Sequence, residues 1–196
     1  MVANIKLCVS FLLFVFLIGG LKPLKAEGEK KALLIIARQD FRDEELFTPM
    51  DILKNSGYKV VVASSSLNEA KGMLGGRVKP DILIKDVNVS EYKIVAFIGG
   101  GGAQEYFNDP IAHKIAQEAV KENKVLGAIC IAPVTLANAG VLKGKKSTVW
   151  SSEGAALKQK GAIFTGKDVE IDGEIITASG PKAAKSFAEA LISADK

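Results

Sequence analysis

Four short apolar runs, separated by helix-length segments, limit what this chain can fold into. They are Lys31–Ala37 (KALLIIA), Lys59–Ala63 (KVVVA), Ile94–Ile98 (IVAFI) and Val125–Ile129 (VLGAI). None alternates apolar with polar residues, so each predicts a strand buried on both faces, as in a parallel sheet. The segments between them carry a helical period. Glu44–Asn55 repeats Leu46, Phe47, Met50, Ile52 and Leu53, and Gly57 follows as a C-cap signal. Asp109-Pro110 opens a helix running to Glu122, with Ile111, Ile115, Ala116 and Ala119 directed inward. Pro181 opens a last helix over Lys182–Ala194. Strands alternating with helices predict an α/β fold with a mostly parallel sheet. Two stretches break the alternation. Gly72–Ile84 predicts a Gly-rich hairpin followed by an extended strand, and Val169–Ala178 a hairpin at Asp172-Gly173.

The first 26 residues are of another kind. Met1–Lys6 carries one Lys, and Leu7–Leu21 is an uncharged, almost wholly apolar run. At 15 residues it is short of the roughly 20 that span a bilayer as a helix. Leu24-Lys25-Ala26 then places a small residue before Glu27. This pattern predicts a signal peptide over residues 1–26, and a periplasmic or secreted protein after cleavage. The alternative is an uncleaved anchor stopped by Lys22 and Lys25, the one route to a membrane. Cys8 lies early in the run and not beside a cleavage site, which argues against a lipoprotein acceptor.

Without that segment the charge balance changes. The whole chain has 26 Lys+Arg against 22 Asp+Glu. Residues 1–26 hold Lys6, Lys22 and Lys25 and no acid, so 23 bases face 22 acids in the remainder. Nothing in that balance calls for nucleic acid. Hydrophobic residues at 48% and charged residues at 24% exclude global disorder, and residues 28–196 have the length of one domain. Only Cys130 and one histidine, His113, remain. That excludes an internal disulfide, a two-histidine catalytic scheme and a His/Cys metal cage, and no cofactor is expected.

Gly127-Ala-Ile-Cys130-Ile-Ala-Pro133 is the most informative segment. An apolar run ends at Cys130 and a helical pattern, Ala132–Ala139, follows at once. Ala128 and Ala132 flank the thiol at −2 and +2. This is the nucleophile-elbow layout, in which strand and helix approach so closely that only small residues fit. The thiol is then presented at the carboxyl end of the sheet, where doubly wound folds bind ligands, and a helix N-terminus there favours thiolate. Ile98 and the four glycines 99–102 follow another strand and offer unobstructed N–H groups. An oxyanion hole from the N–H groups of Gly100 and Ile131 fits them. A phosphate loop fits poorly, because there is neither G-x-G-x-x-G nor Lys-Ser/Thr. Arg42-Asp43-Glu44-Glu45 opens the first helix, also just past a strand. Acids there usually serve the helix dipole, but any of the three that reached Cys130 would be driven towards its protonated form. His113 sits mid-helix and reads as a surface or half-buried residue.

Taken together, these pieces resemble the ThiJ/PfpI family, which includes the Parkinson-linked protein deglycase and the PfpI-type proteases, within the class I glutamine amidotransferase-like superfamily. The resemblance covers roughly Lys31–Ile192. It rests on Asp43-Glu-Glu45-Leu with Pro49 four residues after Glu45, Ile98-Gly-Gly100, Ala128-Ile-Cys130-Ile-Ala-Pro133, Asp172-Gly-Glu-Ile-Ile-Thr177 and Gly180-Pro181, in that order. It implies a flavodoxin-like three-layer sandwich. It implies Cys130 as the nucleophilic or oxidisable thiol, Glu45 as its partner carboxyl, and an oxyanion pocket at Gly100 and Ile131. It also implies homodimers or higher homo-oligomers. The departures narrow the activity. The His that follows the nucleophile in PfpI-type proteases is Ile131 here. Ser147–Ser152 lacks the His of deglycase-like members, and Ser179 stands where Arg is frequent. A glyoxalase- or deglycase-like activity on a small carbonyl or glycated substrate is therefore expected first. A non-enzymatic redox, stress-response or chaperone-like role for an oxidisable Cys130 comes second. A His-less peptidase comes last.

Overall fold

The computed structural model describes residues 29–195. The signal peptide expected over residues 1–26 lies outside them.

Twelve strands and five α-helices follow one another along the described residues. The first half comprises β1 Lys31–Ile35, β2 Gln39–Phe41, α1 Asp43–Asn55, β3 Lys59–Ser64, β4 Ala70–Gly72, β5 Arg77–Val78, β6 Ile82–Leu83 and β7 Ile94–Phe97. The second half comprises α2 Pro110–Lys121, β8 Val125–Ile129, α3 Pro133–Asn138, β9 Lys146–Ser147, α4 Gly154–Gln159, β10 Ile163–Phe164, β11 Val169–Asp172, β12 Ile175–Ala178 and α5 Ala184–Ala194. Seven strands form the central sheet in the order β11-β12-β8-β7-β1-β3-β6. All neighbours in it are parallel except β11 and β12, which close the Gly173 hairpin. This is a three-layer α/β sandwich.

The apolar runs are two-sided because helices cover both faces of the sheet. Leu33, Ile35, Val95, Phe97, Leu126 and Ala128 face one core with Ala112, Ile115, Ala116 and Ala119 of α2 and Leu136 of α3. Ala32, Leu34, Ile94, Ala96, Val125 and Ile129 face the other with Leu46 and Leu53 of α1 and Phe187 and Leu191 of α5. The split follows the two-residue period of a strand. Each fully buried large side chain stabilises by roughly 1.5–3 kcal/mol. Gly127 lets α5 lie close to β8: a Cβ there would stand 2.7 Å from Leu191 and 2.8 Å from Phe187.

Ile111 is corrected from inward to exposed. Asp109 caps α2 by accepting the Ile111 N–H, and the buried stripe is Ala112, Ile115, Ala116 and Ala119. Ile111 lies one position, or about 100°, off that stripe. Strands β2, β9 and β10 and the short helix α4 had no signal in the sequence, since two to six residues are too few to show a period. Strands β2, β4 and β5 form a small second sheet that carries the Gly-rich hairpin. No helix among the described residues is long and apolar enough to cross a membrane.

Candidate active site

Cys130 follows the last residue of β8 and sits half-buried at the carboxyl end of the sheet. Its φ is +62°, in the left-handed region that L-residues with a side chain seldom occupy. Such a residue costs about 1–3 kcal/mol and persists only where its surroundings hold it. Here they do. Its N–H donates to the Ala178 carbonyl at 2.9 Å, and its carbonyl accepts the Trp150 N–H at 2.8 Å. Ala128 and Ala132 are both buried, as the tight turn requires.

Glu45 lies in the first turn of α1 and is 0% exposed. The helix start is tied to the glycine loop, because the Arg42 N–H donates to the Gly99 carbonyl at 3.0 Å. Pro49 has no N–H to offer the Glu45 carbonyl in the helical ladder. Glu45 and Cys130 converge on Gly99. A Cβ at that glycine would stand 2.5 Å from Cys130 Cβ and 2.5 Å from Glu45 Oε2, so only glycine leaves room for both. Neither carboxyl oxygen makes a well-formed hydrogen bond. The thiol of Cys130 and the N–H of Gly99 are the polar groups beside it.

Burial dominates the ionisation of both groups. Desolvation pushes the Glu45 carboxyl up to about 7, against the opposing pull of the thiol, the Arg42 guanidinium and the Gly99 N–H. Desolvation, and then the negative charge of Glu45, push the Cys130 thiol up to about 12. The N–H groups of Gly100 and Ile131 work the other way, because they lie against the sulfur. The two titrations are coupled. A protonated Glu45 exerts no repulsion and becomes a donor to sulfur, so the thiolate is far more accessible beside the acid than beside the carboxylate. The Ile131 N–H at the start of the six-residue α3 acts in the direction expected of a helix N-terminus, and desolvation is the larger influence on the thiol.

The three consecutive acids have three different surroundings. Asp43 is buried and accepts the N–H groups of Leu74 at 2.8 Å and Gly76 at 2.6 Å, which fastens the β4–β5 hairpin to α1. Glu44 is outside, held by both Nε and Nη2 of Arg42 at 2.8 and 3.0 Å. Only Glu45 meets the thiol. His113 is engaged elsewhere, with Nε2 at 2.8 Å from the Phe107 carbonyl. Ser179 holds the β11 side of the loop through its N–H to the Asp168 carbonyl at 2.8 Å. Among the described residues no group of three or more His, Cys, Asp or Glu is arranged to hold a metal.

Sequence reasoning singled out Cys130, Glu45, Gly100 and Ile131, and the structure brings the four together. It missed Gly99 as the clearance between thiol and carboxyl, and Gly180, whose Cβ position is 4.0 Å from Glu45 Oε1. Both lay inside motifs already noted, Ile98-Gly-Gly100 and Gly180-Pro181. A large cavity, about 450 Å³, lies at the amino ends of β7, β8 and β12 and is lined by Lys93, Lys124, Glu174 and Asp195. It is at the opposite end of the sheet from the thiol.

A parallel three-layer sandwich with a cysteine elbow, a glycine loop and a buried carboxyl at the carboxyl end of the sheet defines a class of α/β proteins built around a single thiol. Residues 30–194 match the DJ-1/PfpI family, and the chain belongs to it. An uncharacterized protein of Methanocaldococcus jannaschii is 44% identical over 160 residues, covering 80% of this chain and 78% of that protein. A deglycase PfpI of Pyrococcus furiosus is 30% identical over 149 residues, 76% of this chain and 90% of its own. A glutathione-independent glyoxalase of Caenorhabditis elegans is 28% identical over 161 residues, 82% and 86% respectively. The crystal structure of a ThiJ/PfpI domain protein from Brachyspira murdochii superposes with a TM-score of 0.83 at 30% identity, covering 85% of this chain and 97% of that one.

Proposed function

We propose that this protein is a cysteine-dependent enzyme acting on reactive carbonyls, of glyoxalase or deglycase type, through Cys130 and Glu45. One observation carries the reading: a fully buried carboxyl without a well-formed hydrogen bond stands against a half-buried thiol on a strained elbow. The names of two relatives, a glyoxalase and a deglycase, point the same way.

The chemistry balances without a cofactor. Glu45 and Cys130 hold one transferable proton between them. The sulfur adds to the aldehyde carbon of an α-oxoaldehyde, and the carbonyl oxygen takes a proton to give a hemithioacetal. The N–H groups of Gly100 and Ile131 stabilise negative charge on sulfur and on the adjacent oxygen. Glu45 removes the proton from the former aldehyde carbon and returns it to the neighbouring carbon, while the hydroxyl proton on the first carbon's oxygen passes to the oxygen of the second. The first carbon is oxidised to a thioester and the second reduced to an alcohol. Water cleaves the thioester, releasing a 2-hydroxy acid and the free thiol. A carboxyl poised near 7 suits both halves of this proton transfer. The test is methylglyoxal consumption by residues 27–196 beside the Cys130→Ala form, with lactate measured. One lactate per methylglyoxal, lost in the variant, is expected. Equal turnover by both forms overturns the reading.

A second reading, a redox or stress-response protein, is favoured by one feature: a protonated Glu45 can donate to an oxygen on oxidised Cys130. Peroxide would then give a sulfinic acid whose rate of formation changes in Glu45→Gln. We further propose export after cleavage at residue 26, tested by N-terminal sequencing of protein from the periplasm or medium. We also propose a homodimer or higher homo-oligomer, tested by sedimentation.

A further inference from the structure

We infer that Trp150 is the recognition wall of the Glu45–Cys130 site and selects carbonyl compounds that carry a flat apolar group. This rests on the carbonyl reading above and extends it to a substrate class.

Trp150 is the chain's one tryptophan and is 46% exposed, an unusual exposure for so large an aromatic. It is not loosely placed. Its backbone N–H donates to the Cys130 carbonyl, so its main chain is built into the elbow. Its ring lies on Gly180, where a Cβ would stand 2.8 Å from Cε3 and 2.9 Å from Cζ3. That same position is 4.0 Å from Glu45 Oε1. One part of the indole is thus seated on backbone beside the carboxyl, and the rest is open to solvent.

A second apolar side chain arrives from elsewhere in the chain. Met73, at the tip of the β4–β5 hairpin, is 47% exposed, and its sulfur accepts the Gly101 N–H at 3.5 Å. Gly101 follows Gly100, whose N–H lies against the Cys130 sulfur. Asp43 fixes the hairpin tip in place. Arg42, whose charge acts on Glu45 and Cys130, is bound to Glu44 on both its Nε and Nη2. The site is therefore bordered by an indole and a thioether, groups that favour flat apolar surfaces over charged ones. An α-oxoaldehyde with an aryl substituent could stack on Trp150 while its aldehyde meets Cys130. One with only a methyl group leaves the indole unused.

The test compares phenylglyoxal with methylglyoxal in wild type, Trp150→Ala and Trp150→Phe. It adds titration of tryptophan fluorescence with mandelate and with lactate, the corresponding 2-hydroxy acids. We expect Trp150→Ala to lower kcat/KM for phenylglyoxal about tenfold, mainly through KM, and to change methylglyoxal less than about threefold. Trp150→Phe should keep the preference. Mandelate should perturb the fluorescence saturably and lactate should not. Turnover in which Trp150→Ala leaves the preference unchanged overturns the assignment while the carbonyl chemistry stands. Absence of turnover with a saturable mandelate signal leaves the wall in place and overturns the chemistry. No mandelate signal overturns the wall, whatever the turnover.

Discussion

The two ends of the central sheet are built on opposite principles. At the amino end the strands begin with lysines, and acids answer them: Lys31 with Glu91 at 3.1 Å, Lys30 with Asp195 at 3.6 Å, Lys124 with Glu122 at 3.8 Å. The cavity of about 450 Å³ is there, lined by charged groups such as Lys93, Lys124, Glu174 and Asp195. At the carboxyl end there is strain. Cys130 is left-handed, Gly99 and Gly180 give way to side chains, and Glu45 is sealed in without a full set of partners. Size of cavity and site of chemistry are therefore different things here. A buried polar group that lacks partners costs about 1–3 kcal/mol, and a fold retains such a group only where neighbouring contacts offset it. The amino end has no such group among the lining residues named.

The contrast can be broken by substitution, most forcefully at the thiol. Cys130→Ala should abolish carbonyl consumption, read as loss of 2-hydroxy acid formation, with little change in unfolding temperature. Glu45→Gln keeps the shape and removes the ionisation. It should lower kcat by about 10²–10⁴-fold and remove the limb of the pH profile near 7. It should also change the pH dependence of stability. A carboxyl raised from 4.5 to about 7 on folding contributes stability that is fully present below 4.5 and lost as pH rises to 7. Wild type should thus lose on the order of 3 kcal/mol between those limits from this group, and Glu45→Gln should not. Glu44, Glu170 and Asp172 are lowered on folding and act below that window, with the opposite sign. Chemical denaturation at pH 5 and pH 8 separates the two.

Gly99→Ala should destabilise by about 1–3 kcal/mol and part Glu45 from Cys130, seen as a fall in both melting temperature and turnover. Asp43→Ala should cost about 1–3 kcal/mol by orphaning two hairpin N–H groups, leaving the chemistry step intact in single-turnover kinetics. At the other end, Lys31→Ala breaks an exposed pair and should shift stability by less than about 1 kcal/mol, with no effect on turnover. A larger effect there would erase the distinction between the two ends.

Much of this was legible in the residues. The apolar runs mark six of the seven sheet strands when the Asp172-Gly173 hairpin is added. Alanines at −2 and +2 of Cys130 mark the elbow. What failed did so for physical reasons. Ile111 was placed inward because it begins an apolar pattern, but the cap at Asp109 sets the helix phase and turns Ala112 inward instead. The N–H of Ile131 at the helix start does favour the thiolate, but the depth of burial, which only the fold reveals, pushes the thiol the other way.

Local pattern settles the layers, the hairpins and the elbow, because strand and helix periods, caps and tight turns are complete within about ten residues. It could not, from residue pattern alone, choose among Asp43, Glu44 and Glu45, which share one helix turn and one chemistry. The family resemblance points to Glu45, and the packing of the fold gives the three their different surroundings. The register of β1 on β7 and β7 on β8 sets Ile35 beside Phe97 and Phe97 beside Ala128, and that lateral order brings the start of α1, the glycine loop and Cys130 to one point. The turn of α1 then points Asp43 at the hairpin, Glu44 at solvent and Glu45 at the thiol. The same assembly sets Trp150 on Gly180 beside them. These are contacts between segments far apart in the chain, fixed by packing across the sheet and not by any local preference.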